Sequence, residues 1–216
     1  MPDFYTPAQR KLQAEFGTEA LADRLQATMT DSIGTADAAF VESRNMFFLS
    51  TTDEHGFPSS SYKGGPAGFV RVVDGQTLTF PCYDGNGMFM SVGNIEANTK
   101  VGLLFIDFEA PRRLRVRGTA KVLREGPVVA SYPGAILVVE VAVERVWVNC
   151  PRYVHRMTPM EESPYLPAED GTARLALWKR IDLMQDVLGD ADRARAEEAG
   201  LITVQEYGQR VAAGEL

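Results

Sequence analysis

The hydrophobic period of the chain changes at residue 46. Before that point Leu21, Leu25 and Met29 recur at intervals of four, which is typical of an amphipathic helix. Thr6, followed by a proline and then by Gln9, predicts a capping box that opens an earlier helix. We therefore expect helices in the first part of the chain and a different architecture after it.

From residue 46 to residue 148, β-rich runs alternate with turn residues. The predicted strands cover residues 46–52, 58–62, 69–73, 77–80, 101–106, 114–123 and 136–148, the last being long enough for two strands or one bent strand. Asp74-Gly75 predicts a tight hairpin, because glycine tolerates the positive φ that such a turn needs. One helix is expected over residues 88–97. Six or so strands at this spacing favour an antiparallel barrel, since a parallel sheet would need helices between its strands.

The composition shifts again after the last predicted strand. Four prolines mark an irregular linker, and a helix is expected to carry the apolar residues Leu175, Leu177, Ile181, Met184 and Leu188. Thr203 and Glu206 predict a second capping box. The chain is thus predicted to comprise an N-terminal helical extension (1–45), a barrel (46–156) and a C-terminal helical extension (157–216).

The net charge of −7 argues against a general nucleic-acid binder, because phosphate affinity comes mainly from clustered Lys and Arg. Cys82 and Cys150 are too few for a disulfide framework, and no residue spacing indicates a metal site. Residues 1–13 do not resemble a signal peptide, and no run approaches the ~18 apolar residues of a membrane span. We expect a cytoplasmic protein that binds neither nucleic acid nor a membrane.

Two polar clusters are candidates for ligand binding. Hydroxyl groups and Lys63 lead into a glycine-rich turn, where an anion or a flat ligand could approach the backbone. Asn86 belongs to a second cluster, which precedes the predicted helix that carries Ser91, and a helix N-terminus favours anions. The alternatives are an ordinary hairpin loop with an exposed lysine, and simple turn and cap residues.

Basic residues form two further groups. Arg113, Arg115 and Arg117 alternate with apolar residues and give one strand a basic face. Arg152, His155 and Arg156 follow the last strand and could bind an acidic substrate or form a solvated basic corner. The neighbouring Cys150 has no identified base, so it is weak evidence for a nucleophile.

The order of these motifs resembles that of pyridoxamine 5'-phosphate oxidase-related FMN-binding proteins. The similarity extends from Phe47 to Arg156. It is carried by Tyr62-Lys63-Gly64-Gly65-Pro66, Asn86-Gly87, Ser91-Val92-Gly93-Asn94 and Asn149-Cys150-Pro151-Arg152-Tyr153. This ordered combination is much more specific than any single piece.

The resemblance implies a mainly β fold, a six-stranded antiparallel split barrel that forms a homodimer with two FMN molecules in clefts at the subunit interface. The FMN contacts that it implies are Ser61, Tyr62, Lys63, Asn86, Ser91 and Arg113. Lys63 and Arg113 are the best candidates for polar contacts to the phosphate or the ring. Arg152, His155 and Arg156 could face the flavin or bind substrate from the partner subunit.

The chain departs from the oxidase itself in two places. Met88 and Phe89 stand near the position of an adjacent Arg-Lys pair, and the C-terminal Arg and His pattern for substrate is absent. The resemblance therefore implies an FMN-dependent oxidoreductase for an unidentified small molecule, possibly an anionic one, with no catalytic residue identified. The alternatives left open are a deazaflavin as cofactor and a non-catalytic flavin- or haem-binding or sensing protein.

Overall fold

The computed structural model describes residues 3–215, which form two compact units. The first unit contains the described residues up to 130 together with residues 136–158. The second contains residues 131–135 and the described residues from 159 onward. The boundaries predicted at residues 45 and 157 stay a prediction.

Three helices open the first unit: α1 (Pro7–Glu15), α2 (Glu19–Gln26) and α3 (Thr35–Glu42). The predicted capping box of α1 is confirmed, because the Gln9 N–H donates to the Thr6 hydroxyl and the Thr6 N–H donates to the Gln9 side chain. The period-four leucines lie on α2, as expected.

The sheet contains seven strands in the order β2-β1-β5-β6-β7-β4-β3, and all of its strand pairs are antiparallel. Its strands are β1 (Met46–Thr52), β2 (Pro58–Gly64), β3 (Arg71–Asp74), β4 (Thr77–Cys82), β5 (Lys100–Asp107), β6 (Arg112–Leu123) and β7 (Leu137–Asn149). The predicted mainly β, antiparallel fold is confirmed. The sheet has one strand more than the resemblance implies, and the short strand β3 pairs with β4 at an edge of the sheet.

The predicted hairpin joins β3 to β4, but Gly75 does not have the positive φ that was expected of it. The turn is held instead by the Gln76 N–H, which donates to the Asp74 side chain, and by the Ile33 N–H, which donates to the Gly75 carbonyl at 2.6 Å. Side-chain and tertiary hydrogen bonds therefore replace the left-handed backbone conformation.

The core of the first unit is built from strand residues that alternate between the two faces of the sheet. Phe47 contacts the rings of Phe69, Phe80 and Phe105, with centroids 5.0–5.9 Å apart. On β6 the apolar residues predicted to face inward are buried, and Arg115 is exposed. Residues 137–149 form one long strand, β7. Its register with β6 shifts where Arg117 pairs with Arg145 and Gly118 pairs with Val143, which leaves one extra residue on β7.

Helix α4 (Met90–Ala97) connects β4 to β5 and packs on β1 and β6. It begins two residues later than residue 88 because Phe89 has a left-handed backbone conformation. The Asn94 side chain donates to the buried Thr51 hydroxyl at 3.0 Å, which anchors α4 to β1. A short helix, α5 (Pro127–Ala130), precedes β7.

The second unit contains two short 3-10 helices, Leu177–Arg180 and Asp182–Val187, followed by α6 (Asp190–Glu198) and α7 (Val204–Ala212). The prediction of one helix through residues 175–188 is wrong, because Ile181 has an extended backbone and pairs in a β-bridge with Ile202. The predicted capping box of α7 is confirmed. Within residues 3–215, none of the helices combines the length and the apolar character needed to cross a membrane.

Candidate functional site

A cavity of about 480 Å³ opens in the first unit where β2, the end of β4 and the start of α4 meet. Its walls are residues 61–64, 81–92 and Ile136. The volume lies within the range of ~300–1,000 Å³ that is typical of small-molecule and cofactor sites. The two polar clusters identified in the sequence therefore meet in one cavity.

The floor of the cavity contains a pair of hydroxyl groups. Ser61 on β2 and Ser91 in the first turn of α4 are hydrogen bonded at 2.7 Å, and either oxygen could be the donor. Ser91 is buried and Ser61 is half-buried. Because each hydroxyl both donates and accepts, the pair can turn one donor toward a ligand.

Lys63 supplies the positive charge of the cavity wall. It is half-buried, and within residues 3–215 its ammonium group forms no ion pair. Asp84 contributes one carboxylate to the same wall, so the two formal charges balance. The site can neutralise an anion only in part through charge and must rely on neutral donors for the rest.

Cys82 faces the same cavity from the end of β4. Burial raises the pKa of its thiol, while the nearby Lys63 ammonium acts in the opposite direction. The thiol therefore stays protonated near neutral pH and is a poor nucleophile. The sequence analysis did not include Cys82 in the site, although it directly precedes the polar cluster that contains Asn86.

Asn86 lines the cavity, but its side chain is used to fold the loop. Its carboxamide oxygen accepts the Met88 N–H at 3.1 Å, and its NH₂ group donates to the Met88 sulfur at 3.3 Å. This arrangement is an Asx-type turn, in which a short polar side chain replaces a backbone partner. Asn86 therefore positions the residues that precede α4.

The first residues of α4, 90–92, line the cavity. Phe89 at the N-cap has φ 48° and ψ 24°, and no side chain caps the helix. The first N–H groups of a helix have no partner within the helix and carry a partial positive charge. Together with Ser61, Ser91 and Lys63 they can hold an anionic or strongly polar group.

The mouth of the cavity is apolar and contrasts with its floor. The exposed apolar side chains at the mouth are Met88, Phe89, Met90 and Ile136. None of them carries a charge. Tyr62 lines the cavity from β2, but its ring packs on Phe48 with centroids 6.2 Å apart, on the strand face opposite to Ser61 and Lys63. The cavity thus has a polar floor and an uncharged, partly aromatic mouth.

The structure brings together five of the six residues predicted to bind the cofactor: Ser61, Tyr62, Lys63, Asn86 and Ser91. Arg113 does not line the cavity. Its guanidinium donates to the Cys150 carbonyl, where β6 begins and β7 ends. Whether any of the six contacts a ligand stays a prediction.

The predicted basic group after β7 lies away from the cavity of its own chain. Arg152 and His155 are exposed, and neither lines the cavity. Arg156 donates to the Glu109 carbonyl at 3.0 Å, and the Met157 N–H donates to the Phe108 carbonyl. This segment therefore folds back along the turn between β5 and β6.

Several solved structures are similar to this chain. HupZ from Group A Streptococcus is 20% identical with a TM-score of 0.46, over 58% of this chain and 99% of HupZ. A proposed pyridoxamine 5'-phosphate oxidase from Lactobacillus delbrueckii is 23% identical with a TM-score of 0.44, over 55% and 95% of the two chains. HutZ, the haem storage protein from Vibrio cholerae, is 16% identical with a TM-score of 0.41, over 54% of this chain and 94% of HutZ. No curated protein sequence matches this chain.

A sequence model described as pyridoxamine 5'-phosphate oxidase matches residues 33–150. The matched region is more than half of the 216 residues and contains the whole cavity wall. It begins before α3 and ends directly after β7. The chain therefore belongs to the pyridoxamine 5'-phosphate oxidase family.

Proposed function

We propose that the protein binds FMN in the cavity between β2 and α4 and acts as an FMN-dependent oxidoreductase on a small molecule. The observation that carries the proposal is the convergence of Lys63, the Ser61–Ser91 pair and the uncapped N-terminus of α4 on one cavity of about 480 Å³. These are the groups that bind a phosphate monoester.

The chemistry of these donors fits the polar end of FMN. A phosphate monoester carries about −1.5 to −2 charges near pH 7. Lys63 offers one charge, and Asp84 opposes it, so most of the binding must come from hydroxyl and backbone N–H donors. Ser61, Lys63, Ser91 and the first turn of α4 would hold the phosphate, which leaves the apolar mouth for the ring.

Bound FMN supplies the redox chemistry, and the protein supplies orientation and electrostatics. The chain's own residues are suited to that limited role. The hydroxyl pair and Lys63 would hold the polar end, the apolar mouth would contact the ring, and the protonated Cys82 thiol does not compete as a nucleophile. Because FMN would carry out the redox chemistry, the cavity wall does not need an acid–base pair, and none is evident there.

The substrate of the proposed reaction would be a small molecule. In a homodimer, Arg152, His155 and Arg156 would act at the partner's cavity, where they would favour an anionic substrate. Support for this part comes from the exposure of Arg152, His155 and Arg156, which leaves their side chains accessible. The two free cysteines suit the reducing conditions of a cytoplasm, where we propose that the protein works.

A second candidate function is non-catalytic binding of a flavin or a haem. It is favoured by the thioether groups of Met88 and Met90 at the mouth of the cavity, since Met is a residue type that ligates haem iron. FMN remains the first choice because the floor carries donors for a phosphate.

The absorption spectrum and the mass of the compound that co-purifies with the protein test these functions. Flavin absorbance with about one FMN per chain is expected. A deazaflavin spectrum or a Soret band would identify a different cofactor, and a colourless protein that does not bind added FMN in calorimetry would refute the proposal. Turnover with NADH, NADPH or pyridoxine 5'-phosphate would separate an enzyme from a non-catalytic binding protein.

A further inference from the structure

We propose that the face of the sheet that points away from the core carries a second binding site, for a small molecule that combines a flat aromatic ring with an anionic group. This outer site consists of Arg115 and Arg117 on β6 and Arg145 and Trp147 on β7. In the structure, Phe4 occupies the place that we assign to the ring of the ligand. The inference concerns residues that the proposed function does not use, and it does not depend on FMN.

The strand register brings the four side chains of the outer site together. Arg115 pairs with Trp147, and Arg117 pairs with Arg145, across β6 and β7. Side chains that lie directly opposite each other on one face of a sheet have Cβ atoms about 4.5–5.5 Å apart. Val116, between the two arginines of β6, is buried on the inner face. The three arginines therefore extend from neighbouring positions of the outer face, next to one indole ring.

The charge of Arg117 is not neutralised by the described part of the chain. Within residues 3–215 its side chain forms no ion pair and no hydrogen bond, and its Nε atom is buried. Burying such a donor without a partner is unfavourable. Arg115 is exposed and also forms no ion pair within these residues. A phosphate or carboxylate that approaches the outer face could accept two parallel hydrogen bonds from either guanidinium.

The ring of Phe4 covers the guanidinium of Arg117. The guanidinium carbon lies 4.3 Å from the ring centroid, which is a cation–π contact. The same ring meets Trp147 edge to face, with centroids 5.3 Å apart. Arg117 and Trp147 thus already hold one aromatic ring. A ring that carries an anionic group would make the same two contacts and would also neutralise the arginines.

The segment that carries Phe4 is held in place by a few hydrogen bonds near the surface. The Phe4 N–H donates to the Gln26 side chain at 3.3 Å. The carboxylate of the preceding Asp3 binds Arg10 at 2.6 Å, so it does not neutralise the outer site. Contacts of this kind open locally at a lower free-energy cost than the hydrogen bonds of a sheet. A ligand can therefore displace Phe4 without unfolding the strands beneath it.

The test is a calorimetric titration of the full-length protein with AMP, adenosine and inorganic phosphate. AMP has both the ring and the anion, whereas adenosine has only the ring and inorganic phosphate only the anion. AMP should bind about tenfold more tightly than either of the others. Phe4→Ala should strengthen AMP binding by about threefold to thirtyfold, because the open form of the site is then more populated. Arg117→Gln should weaken AMP by about tenfold or more, and Arg117→Lys should recover part of the loss.

Two further variants are the controls. Lys121 lies on the same strand and binds Glu140 at 2.6 Å, so Lys121→Gln removes the same formal charge as Arg117→Gln at a position that already has a partner. This variant should leave AMP affinity unchanged, which excludes a general effect of net charge. Lys63→Ala should also leave AMP affinity unchanged, because Lys63 lines the cavity on the other face of the sheet.

The outcomes separate the inference from the proposed function. If neither the wild type nor Phe4→Ala binds AMP, or if Arg117→Gln binds it as well as the wild type, the inference is overturned. Weaker AMP binding by Lys63→Ala would also overturn it, because AMP would then occupy the cavity. Equal affinities for AMP and inorganic phosphate in the wild type and in Phe4→Ala would remove the ring from the site. Whether the wild type binds FMN decides the proposed function alone.

Discussion

The hydroxyl groups of Ser61 and Ser91 lie 2.7 Å apart and join β2 to the first turn of α4 at the floor of the cavity. The two residues are separated by 30 positions in the chain. A second contact of α4, from Asn94 to Thr51, holds the same helix against β1. These two side-chain hydrogen bonds, together with the buried Val92 and Ile95 of α4, hold the helix N-terminus and with it the proposed phosphate site in position.

Replacing Ser91 by alanine should reduce both stability and FMN affinity. The buried hydrogen bond contributes about 0.5–1.5 kcal/mol to folding, and its loss leaves the Ser61 hydroxyl without this partner. Urea unfolding of Ser61→Ala, Ser91→Ala and the double variant should show that the two effects do not add. The control is Ser60→Ala, an exposed serine on the same strand. Additive effects in the double variant would contradict a direct coupling.

The Lys63 side chain should contribute to FMN binding through its charge. Lys63→Ala removes a charge-assisted hydrogen bond to the proposed phosphate and should weaken FMN by about 1.5–3 kcal/mol, with little effect on the fold. Lys63→Arg should restore part of the loss, because its guanidinium keeps the charge but has a different shape. Calorimetric titration and thermal melts of the apo forms provide the measurements. Unchanged affinity in Lys63→Ala would exclude the residue from the site.

The features that the sequence predicted well depend on neighbouring residues alone. The capping boxes at Thr6 and Thr203 form because the partner lies three residues further along the same helix. Leu114 is buried and Arg115 is exposed because successive strand residues face opposite sides. Patterns of this kind do not require knowledge of the tertiary structure.

The features that the sequence analysis missed depend on contacts between distant segments. Arg113 does not line the cavity with the other five predicted residues, because the strand register brings its guanidinium to the Cys150 carbonyl, and its contact with a cofactor stays a prediction. Ile181 was expected inside a helix, but it pairs with Ile202 in a β-bridge. Phe89 was noticed only as a departure from an Arg-Lys pair, because its left-handed backbone cannot be inferred from residue types.

Gly118 should be essential for the pairing of β6 with β7. A Cβ atom at this position would lie 2.1 Å from the Ala142 carbonyl oxygen, which is backbone and cannot rotate away. Gly118→Ala should therefore destabilise the first unit by several kcal/mol, about 3 or more. The matched control is Gly93→Ala in α4, where a Cβ meets nothing within 4 Å. That variant should be neutral or up to ~1 kcal/mol more stable, since alanine favours a helix. Equal urea midpoints for the two variants would contradict the predicted clash.

The protein should form a homodimer at micromolar concentration. Four apolar residues of the first two helices and their ends are exposed: Leu12 on α1, Phe16 directly after α1, and Leu21 and Leu25 on α2. This is a large amount of apolar surface for a monomer to leave in water. Sedimentation velocity should show a dimer for the wild type and a monomer for the variant with Phe16→Glu and Leu21→Glu. Leu183→Glu, at a leucine of the second unit that is 74% exposed, should remain dimeric. A monomeric wild type with FMN bound would refute the shared-cleft arrangement.

The ionised carboxylate of Asp107 should stabilise the first unit at neutral pH, and acid should remove this stabilisation. Burial acts to raise the pKa of its carboxyl, but the Ala110 N–H, the Arg44 guanidinium and the Glu109 N–H together lower the pKa below its usual value. A carboxyl whose pKa is lower in the folded than in the unfolded state stabilises the fold above the unfolded pKa of ~3.9. That contribution is lost as the pH falls through the lower, folded value. Asp107→Asn should cost about 1–3 kcal/mol at pH 7 and progressively less toward pH 2.

Urea unfolding between pH 2 and pH 7 provides the measurement for Asp107. Arg44→Gln should reproduce part of the effect, because it removes the ion pair at 2.7 Å but leaves the two backbone donors. In the double variant the losses should not add, since both substitutions remove the same interaction. A destabilisation by Asp107→Asn that is the same at every pH would contradict the prediction, because it would come from packing and not from the charge.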